Sequence, residues 1–229
     1  MKKYFLIVVL LLVFSCKKAD AEPVGLNFYF DNPQPINNSE LSKIPSKFQG
    51  LFMNSDSVFL NVEKDIIFKE SFYKMKFHKK DLDSLKNEFV FSNGKYIATY
   101  NNKVFDYRQL KDSVELFKKE IDTFFIFSNS QKAKRINGQL VLNTKDSIFW
   151  KVKLLNFDKN TLKIKYIYSE DDLKRIDSVT KLKSKMIDST SFMIKPTRKE
   201  FNRIINLKYL GEDVRYLRVV KSQIKNRKS

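Results

Sequence analysis

"SIFWKVKLLNFDKNTLKIKYIY", residues 147–168, reads as a β-hairpin. Ile148, Trp150, Val152 and Leu154 alternate with Phe149, Lys151 and Lys153. After the turn residues "DKN", Leu162, Ile164, Tyr166 and Tyr168 alternate with Lys163 and Lys165. Successive side chains of a strand point to opposite faces. A period of two with lysines on one face therefore predicts an antiparallel pair buried on one side.

The start of this stretch belongs to a recurring phrase. "DSVFL" begins at Asp56, "DSVEL" at Asp112, "DTFFI" at Asp122 and "DSIFW" at Asp146. Asp, Ser and Thr side chains close turns by bonding their own backbone, and bulky or β-branched residues then favour a pleated strand. Each phrase predicts a turn followed by a strand. "FVFSNGKYIATYNNKVFDY", residues 89–107, adds strands joined at "SNG" and "NN". Leu110, Val114, Phe117 and Ile121 also fit a helical spacing, but the two Asp phrases in that region favour strands. "FQGLFMNSDSVFL" and "INGQLVLNTKDSIFW" share an order of Gly, short strand, turn, Asp-Ser and strand, which suggests two related halves.

Three helices are expected. Lys79–Glu88 places Leu82, Leu85 and Phe89 on one face. Ser169-Glu170-Asp171-Asp172 is an N-cap signature ahead of Leu173, Ile176 and Val179. Thr197 to Glu200 forms a capping box ahead of Phe201, Ile204 and Ile205, with Gly211 as the stop. "VRYLRVV" reads as the last strand. The fold class is mainly β with an α+β character: one domain built on an antiparallel sheet, sandwich- or barrel-like, with two or three short helices.

The N-terminus has a different character. Lys2 and Lys3 precede an unbroken apolar run of eleven residues, Tyr4–Phe14, and then Ser15 and Cys16. A membrane span needs about 20 apolar residues, so this run is too short for one. A basic start, a short apolar stretch and a small residue at the cut describe a secretory signal over residues 1–15. Val13-Phe14-Ser15-Cys16 resembles a bacterial lipobox, which implies cleavage before Cys16 and acylation of its sulfur. Cys16 is the one cysteine. No disulfide is then expected, and the fold must rest on packing. Residues 16–44 hold "AEPVG", "NPQP" and "NNSE" and read as a tether, with Leu26–Phe30 as a strand docked on the domain. The β-rich domain is expected over 45–220 and a basic tail over 221–229.

"NPQPINNSELSKIPSKFQGLFMNSDSVFLNV", with "NTKDSIFWKVKLL", "EDDLKRI" and "KPTRKEFNRII" further on, resembles cell-envelope lipoproteins of the Bacteroidota. The resemblance implies a secreted, lipid-anchored, β-rich protein, with the outer membrane favoured over the inner. It carries no catalytic residue.

The formal charge is +18, falling to +16 once Lys2 and Lys3 leave with the signal. Half of that excess lies after Ile194, where eleven basic residues face three acidic ones. Arg215, Arg218, Lys221, Lys225, Arg227 and Lys228 form a candidate patch for an anionic surface, such as lipid headgroups or an envelope polymer. Nucleic acid is not an expected partner of an exported chain.

Chemistry-bearing motifs are few. His78 stands alone in "KMKFHKK", and one His with an acylated Cys builds no zinc site. The five glycines are scattered, so no phosphate-cradling loop forms, and no cofactor is expected. Glu170–Asp172 sits where a helix N-terminus favours acids. The function expected is therefore non-catalytic: binding, assembly or structural work in the envelope, through the membrane and a protein or polymer partner. The alternatives are an immunity or inhibitor lipoprotein against an exported toxin, and a hydrolase of envelope polymers whose paired carboxylates would meet only in three dimensions.

Overall fold

The computed structural model describes residues 23–82 and 84–219. Its strands in chain order are β1 (Asn27–Phe30), β2 (Gly50–Met53), β3 (Phe59–Val62), β4 (Ile66–His78), β5 (Phe89–Ser92), β6 (Lys95–Ala98), β7 (Val104–Gln109), β8 (Ser113–Ile126), β9 (Gln131–Ile136), β10 (Gln139–Asp146), β11 (Phe149–Asp158), β12 (Thr161–Tyr166), β13 (Lys185–Asp188), β14 (Ser191–Ile194) and β15 (Glu212–Arg218). Helix α1 (Glu170–Val179) follows β12, and α2 (Arg198–Ile205) follows β14. The strands join in one open, mixed sheet whose main path runs β13-β14-β1-β11-β12-β15-β2-β3-β4-β8-β7-β6-β5, with β10 and β9 branching from β11. Only β1 and β14 pair in parallel among the described strands. The chain is a mainly β, sandwich-like single domain. Among the described residues no helix is long and apolar enough to cross a membrane.

The hairpin of the opening stretch is present as β11 and β12, but it is buried on both sides. Asp158 pairs with Thr161 across a two-residue turn, with Lys159 in the left-handed region at φ 53°. That turn fixes the register so that Leu154 faces Lys165 and Leu155 faces Ile164. Even-numbered residues of β11 thus lie opposite odd-numbered residues of β12, and the two apolar alternations point to opposite faces. Trp150, Val152 and Leu154 pack toward Phe28, Phe30, Phe201 and Ile204 under the helices. Leu155, Leu162, Ile164 and Tyr166 pack toward Phe52, Leu60, Ile67 and Phe125 on the other face. β10 is likewise two-sided, with Val141 in the first core and Leu140 and Leu142 in the second. Ile148 belongs to no strand; it is exposed in the β10–β11 turn.

Three of the four Asp phrases behave as turn then strand. Ser57 and Ser147 adopt positive φ before β3 and β11, and β8 begins at Ser113. "DTFFI" does not: Asp122 and Thr123 lie inside β8. There Ile67 pairs with Phe125 and Phe68 with Thr123, so Phe124 is the extra residue of a β-bulge. β4 and β8, with 13 and 14 residues, form a ribbon about 43 Å long at the usual strand rise. Its far end carries a third core, where Phe89, Ala98, Phe105, Val114 and Leu116 are buried against Phe77, Leu82 and Leu85.

Residues 79–88 are not an α-helix. A 3-10 turn at Lys79–Asp81 continues as i→i+3 turns, Leu82 N to Lys79 O and Leu85 N to Leu82 O. The expected apolar face is nonetheless used, because Leu82, Leu85 and Phe89 all reach the third core. Both capping boxes form, Ser169 with Asp172 and Thr197 with Glu200. Gly211 is not the stop of α2, which ends at Asn206. The Gly211 N–H instead donates to Asp172 Oδ1 at 2.7 Å, and a Cβ there would lie 2.3 Å from Tyr166 O.

The docked strand expected at Leu26–Phe30 is β1, set between β14 and β11. The stretch after it is packed as well. Gln34 N donates to Asn143, Leu41 N to Ala133 O and Ile44 N to Lys64 O, and the Ile44 side chain is fully buried. The folded body therefore extends N-terminal of Pro45, because Phe28 and Phe30 of β1 fill the core under the helices and Leu41 and Ile44 pack in the core on the other face.

Candidate functional site

Two strands share one edge of β11, and they part. β1 pairs there at Phe30↔Trp150 and β12 from Lys165↔Leu154 onward, so neither register covers Lys151–Lys153. The fork opens a crevice of about 420 Å³, within the usual range of small-molecule sites. Its roof is the segment Pro23–Phe28, its apolar walls are Phe30, Val152 and Ile176, and its opposite side carries Lys151, Lys153 and Phe124. The roof lies tight on Tyr168: Leu26 N donates to Tyr168 O at 2.6 Å, and a Cβ on Gly25 would stand 2.3 Å from that same oxygen.

The bulge in β8 and the alternation in β11 set the side chains. Lys153 Nζ stands 4.8 Å from the centre of the Phe124 ring and 5.9 Å from that of Tyr166. Lys151 Nζ lies 2.9 Å from Asp146 Oδ2, which also accepts from Tyr29 OH at 3.0 Å. Burial works against the Lys151 ammonium, but the hydrogen bonds with Asp146 and Tyr29 outweigh it and hold its pKa above the usual lysine value. The Lys151 hydrogen bond and then that of Tyr29 hold the Asp146 carboxyl below its usual range. Near neutral pH Lys151 and Asp146 are both charged, and the crevice itself is lined by the two lysine side chains beside an apolar wall.

A second concave surface lies at the far end of the ribbon. Leu116 of the third core is eight positions from Phe124 on β8, about 27 Å at the strand rise. A groove of about 340 Å³ runs between edge strand β5 and the turn segment, lined by Phe89, Val90, Phe91, Leu82, Leu85 and Tyr96. Val90 is 50% exposed and Phe91 54%. Phe91, Tyr96 and Tyr107 form a ring cluster with centroids 5.0–5.6 Å apart.

The expected site residues are not gathered. Cys16, Lys221, Lys225, Arg227 and Lys228 lie outside the described residues. Arg215 and Arg218 are three apart on β15 and project from opposite faces. Arg215 is exposed opposite Lys163. Arg218 is committed to the fold: its guanidinium stacks 4.6 Å from the Phe52 ring and 4.9 Å from Phe157, and donates to Gln49 O and Lys47 O. His78 caps the 3-10 turn, its Nδ1 accepting from Lys80 N at 3.2 Å. Asp172 accepts from Ser169 N, as capping predicts, and also from Tyr168 N and Gly211 N.

Lys151, Lys153 and Phe124 were not singled out by sequence. The lysines had been assigned to a solvated face, and the signal that marks the bulge is the break of alternation at the adjacent Phe124-Phe125. No group of three or more His, Cys, Asp or Glu able to hold a metal lies among the described residues. Comparison of the chain with protein-family models, with curated proteins and with solved structures returns no match.

Proposed function

We propose that this is a lipid-anchored, non-catalytic binding protein of the bacterial cell envelope, held in the outer membrane through an acylated Cys16 and docking an extended segment of a partner protein along β5. The anchor rests on the sequence alone: the basic start, the eleven-residue apolar run and Ser15 before Cys16. The observation that carries the binding role is the β5 edge. Among the described residues β5 ends the strand path with one paired strand, β6. Its four residues, "FVFS", include no Lys, Pro or bulge of the kind that blunts free edges. An apolar groove runs beside that edge. Phe89 N donates to Leu85 O at 2.9 Å, so the turn segment covers the start of the edge; the rest, Val90–Ser92, can supply main-chain hydrogen bonds while the groove takes apolar side chains, the mode of strand addition.

Two measurements test this reading. Labelling with a radioactive fatty acid should mark the wild type and miss Cys16→Ser; persistent label in that variant defeats the anchor. A photo-crosslinker at position 90 should trap a partner polypeptide in cells, and Phe91→Lys should abolish the adduct without loss of β structure. If the trapped polypeptide is a second copy of this chain, β5 is a self-assembly edge. If adducts survive Phe91→Lys, or form as readily from exposed Ile148, the edge is not the docking site.

A further inference from the structure

We infer that the crevice at the β1–β12 fork is a binding site for a small anionic amphiphile, its acidic head group at Lys151 and Lys153 and its hydrocarbon against Phe28, Phe30 and Val152. Four observations converge. The volume, about 420 Å³, suits a small molecule. One side is aliphatic and aromatic and the other cationic, the two halves of an amphiphile. Asp146 and Tyr29 take two of the three N–H donors that a lysine carries, so Lys151 can still bind an anion while keeping its internal partners. Lys153 is held in place by its stacking on Phe124 and Tyr166.

The opening follows from where the two strands end. Closing the sheet would require only that β1 or β12 extend along Lys151–Lys153, yet both end short of it. The bulge on β8 turns Phe124 toward Lys153, and bulges commonly re-aim side chains beside functional sites. Gly25 allows the roof to close on Tyr168 at a distance that no larger residue permits.

The test uses the full chain carrying Cys16→Ser, so that no attached acyl chain competes for the crevice. Two head groups share the inferred chemistry, and dodecanoate and dodecyl phosphate are the two arms, titrated calorimetrically beside dodecanol and dodecylammonium. At least one anionic arm should bind about tenfold or more tightly than dodecanol, the scale of one hydrogen bond to a charged group; which arm wins identifies the head group. Lys153→Met keeps most of the side-chain volume over the two rings and should cost that same factor, with an unchanged melting curve. Dodecanol or dodecylammonium binding as well as both anions, or Lys153→Met binding like the wild type, overturns the inference. A photoreactive dodecanoate on the Cys16→Ser chain gives a readout that needs no crevice variant. Label should map to the Pro23–Phe28 roof and to Phe124, whereas label on the apolar groove beside β5 would overturn it.

Discussion

Replacing Asp172 by Asn should destabilise the protein by about 2–4 kcal/mol at pH 7, because it removes one of two acceptor oxygens that are both in use. Oδ1 accepts from Gly211 N at 2.7 Å, and Oδ2 from Ser169 N at 3.0 Å and Tyr168 N at 3.1 Å. The side chain is nearly sealed from water, the residue being 2% exposed. An Asn side chain offers one oxygen and one NH₂. With the oxygen toward Ser169 and Tyr168, the NH₂ faces the Gly211 N–H, donor against donor. Hydrogen bonds to a charged group contribute about 1.5–3 kcal/mol each; one is lost outright and the others weaken. Placement near the positive end of α1 adds about 0.3–1 kcal/mol that also disappears. Urea unfolding followed by Trp150, the sole tryptophan, measures the difference. The pH dependence checks its origin. Burial opposes ionisation of this carboxyl, but the N–H groups of Gly211, Ser169 and Tyr168 outweigh it and hold the pKa below the usual Asp value. A carboxyl depressed in the fold stabilises above its unfolded pKa, near 4, and loses that contribution as pH falls through the folded value. The gap between wild type and Asp172→Asn should therefore narrow below about pH 4. A variant within about 0.5 kcal/mol of wild type at pH 7, or a gap indifferent to pH, would refute the reasoning.

Three further expectations can be checked by the same urea unfolding, two of them together with binding measurements. Glu120 is held at a pKa of about 2 by hydrogen bonds from Lys103 and then Lys118; Glu120→Gln should cost about 1 kcal/mol, discounted for the partial exposure of all three groups, and the contribution should vanish as pH falls from about 4.5 to 2. Arg218→Met should lower stability by about 2 kcal/mol through the lost carbonyl bonds and ring stacking, yet leave binding to anionic vesicles unchanged, whereas Arg215→Gln should weaken that binding and spare stability. Gly25→Ala should destabilise by about 1–3 kcal/mol, because its Cβ meets Tyr168 O, and should also abolish dodecanoate or dodecyl phosphate binding at the fork.

The strands were legible wherever a local rule decides them: Asp-Ser turns, Asn-Gly turns and alternation all act within a few residues. The Leu110–Ile121 stretch shows one such rule winning over another, since β8 pairs along the whole of β4 and overrides a helical spacing. What escaped was non-local. Which face of β11 is wet depends on α2 and β3, distant in sequence, so Lys151 and Lys153 looked like solvent lysines. The bulge at Phe124 depends on the register with β4, a strand more than fifty residues away. Residues 79–88 had a helical pattern of apolar positions but took 3-10 turns, because the segment needs only to lay Leu82 and Leu85 on the third core between two strands. Gly211 looked like a helix stop because Gly commonly is one; its reason lies in Asp172 and Tyr166, far along the chain. The candidate crevice was illegible for the same cause, being a place where two strands fail to meet.

The pairing of a lysine excess with 21 Phe also has a structural reason. An open sheet leaves many rings half-covered, and no disulfide stiffens it among the described residues. Lysine ammonium groups stand over these rings: Lys47 on Phe48, Lys119 on Phe72, Lys132 on Trp150, Lys151 on Tyr29 and Lys153 on Phe124, at 4.7–5.8 Å from the ring centres. Each stem covers apolar surface while its head stays solvated or meets the ring face. Part of the positive charge thus screens aromatic surface instead of forming one patch. The Phe91–Tyr96–Tyr107 cluster adds a second device, because its rings cover one another at centroid distances of 5.0–5.6 Å. Those rings stay partly exposed beside β5, Phe91 at 54% and Tyr107 at 39%, which is where the proposed partner segment would find apolar surface.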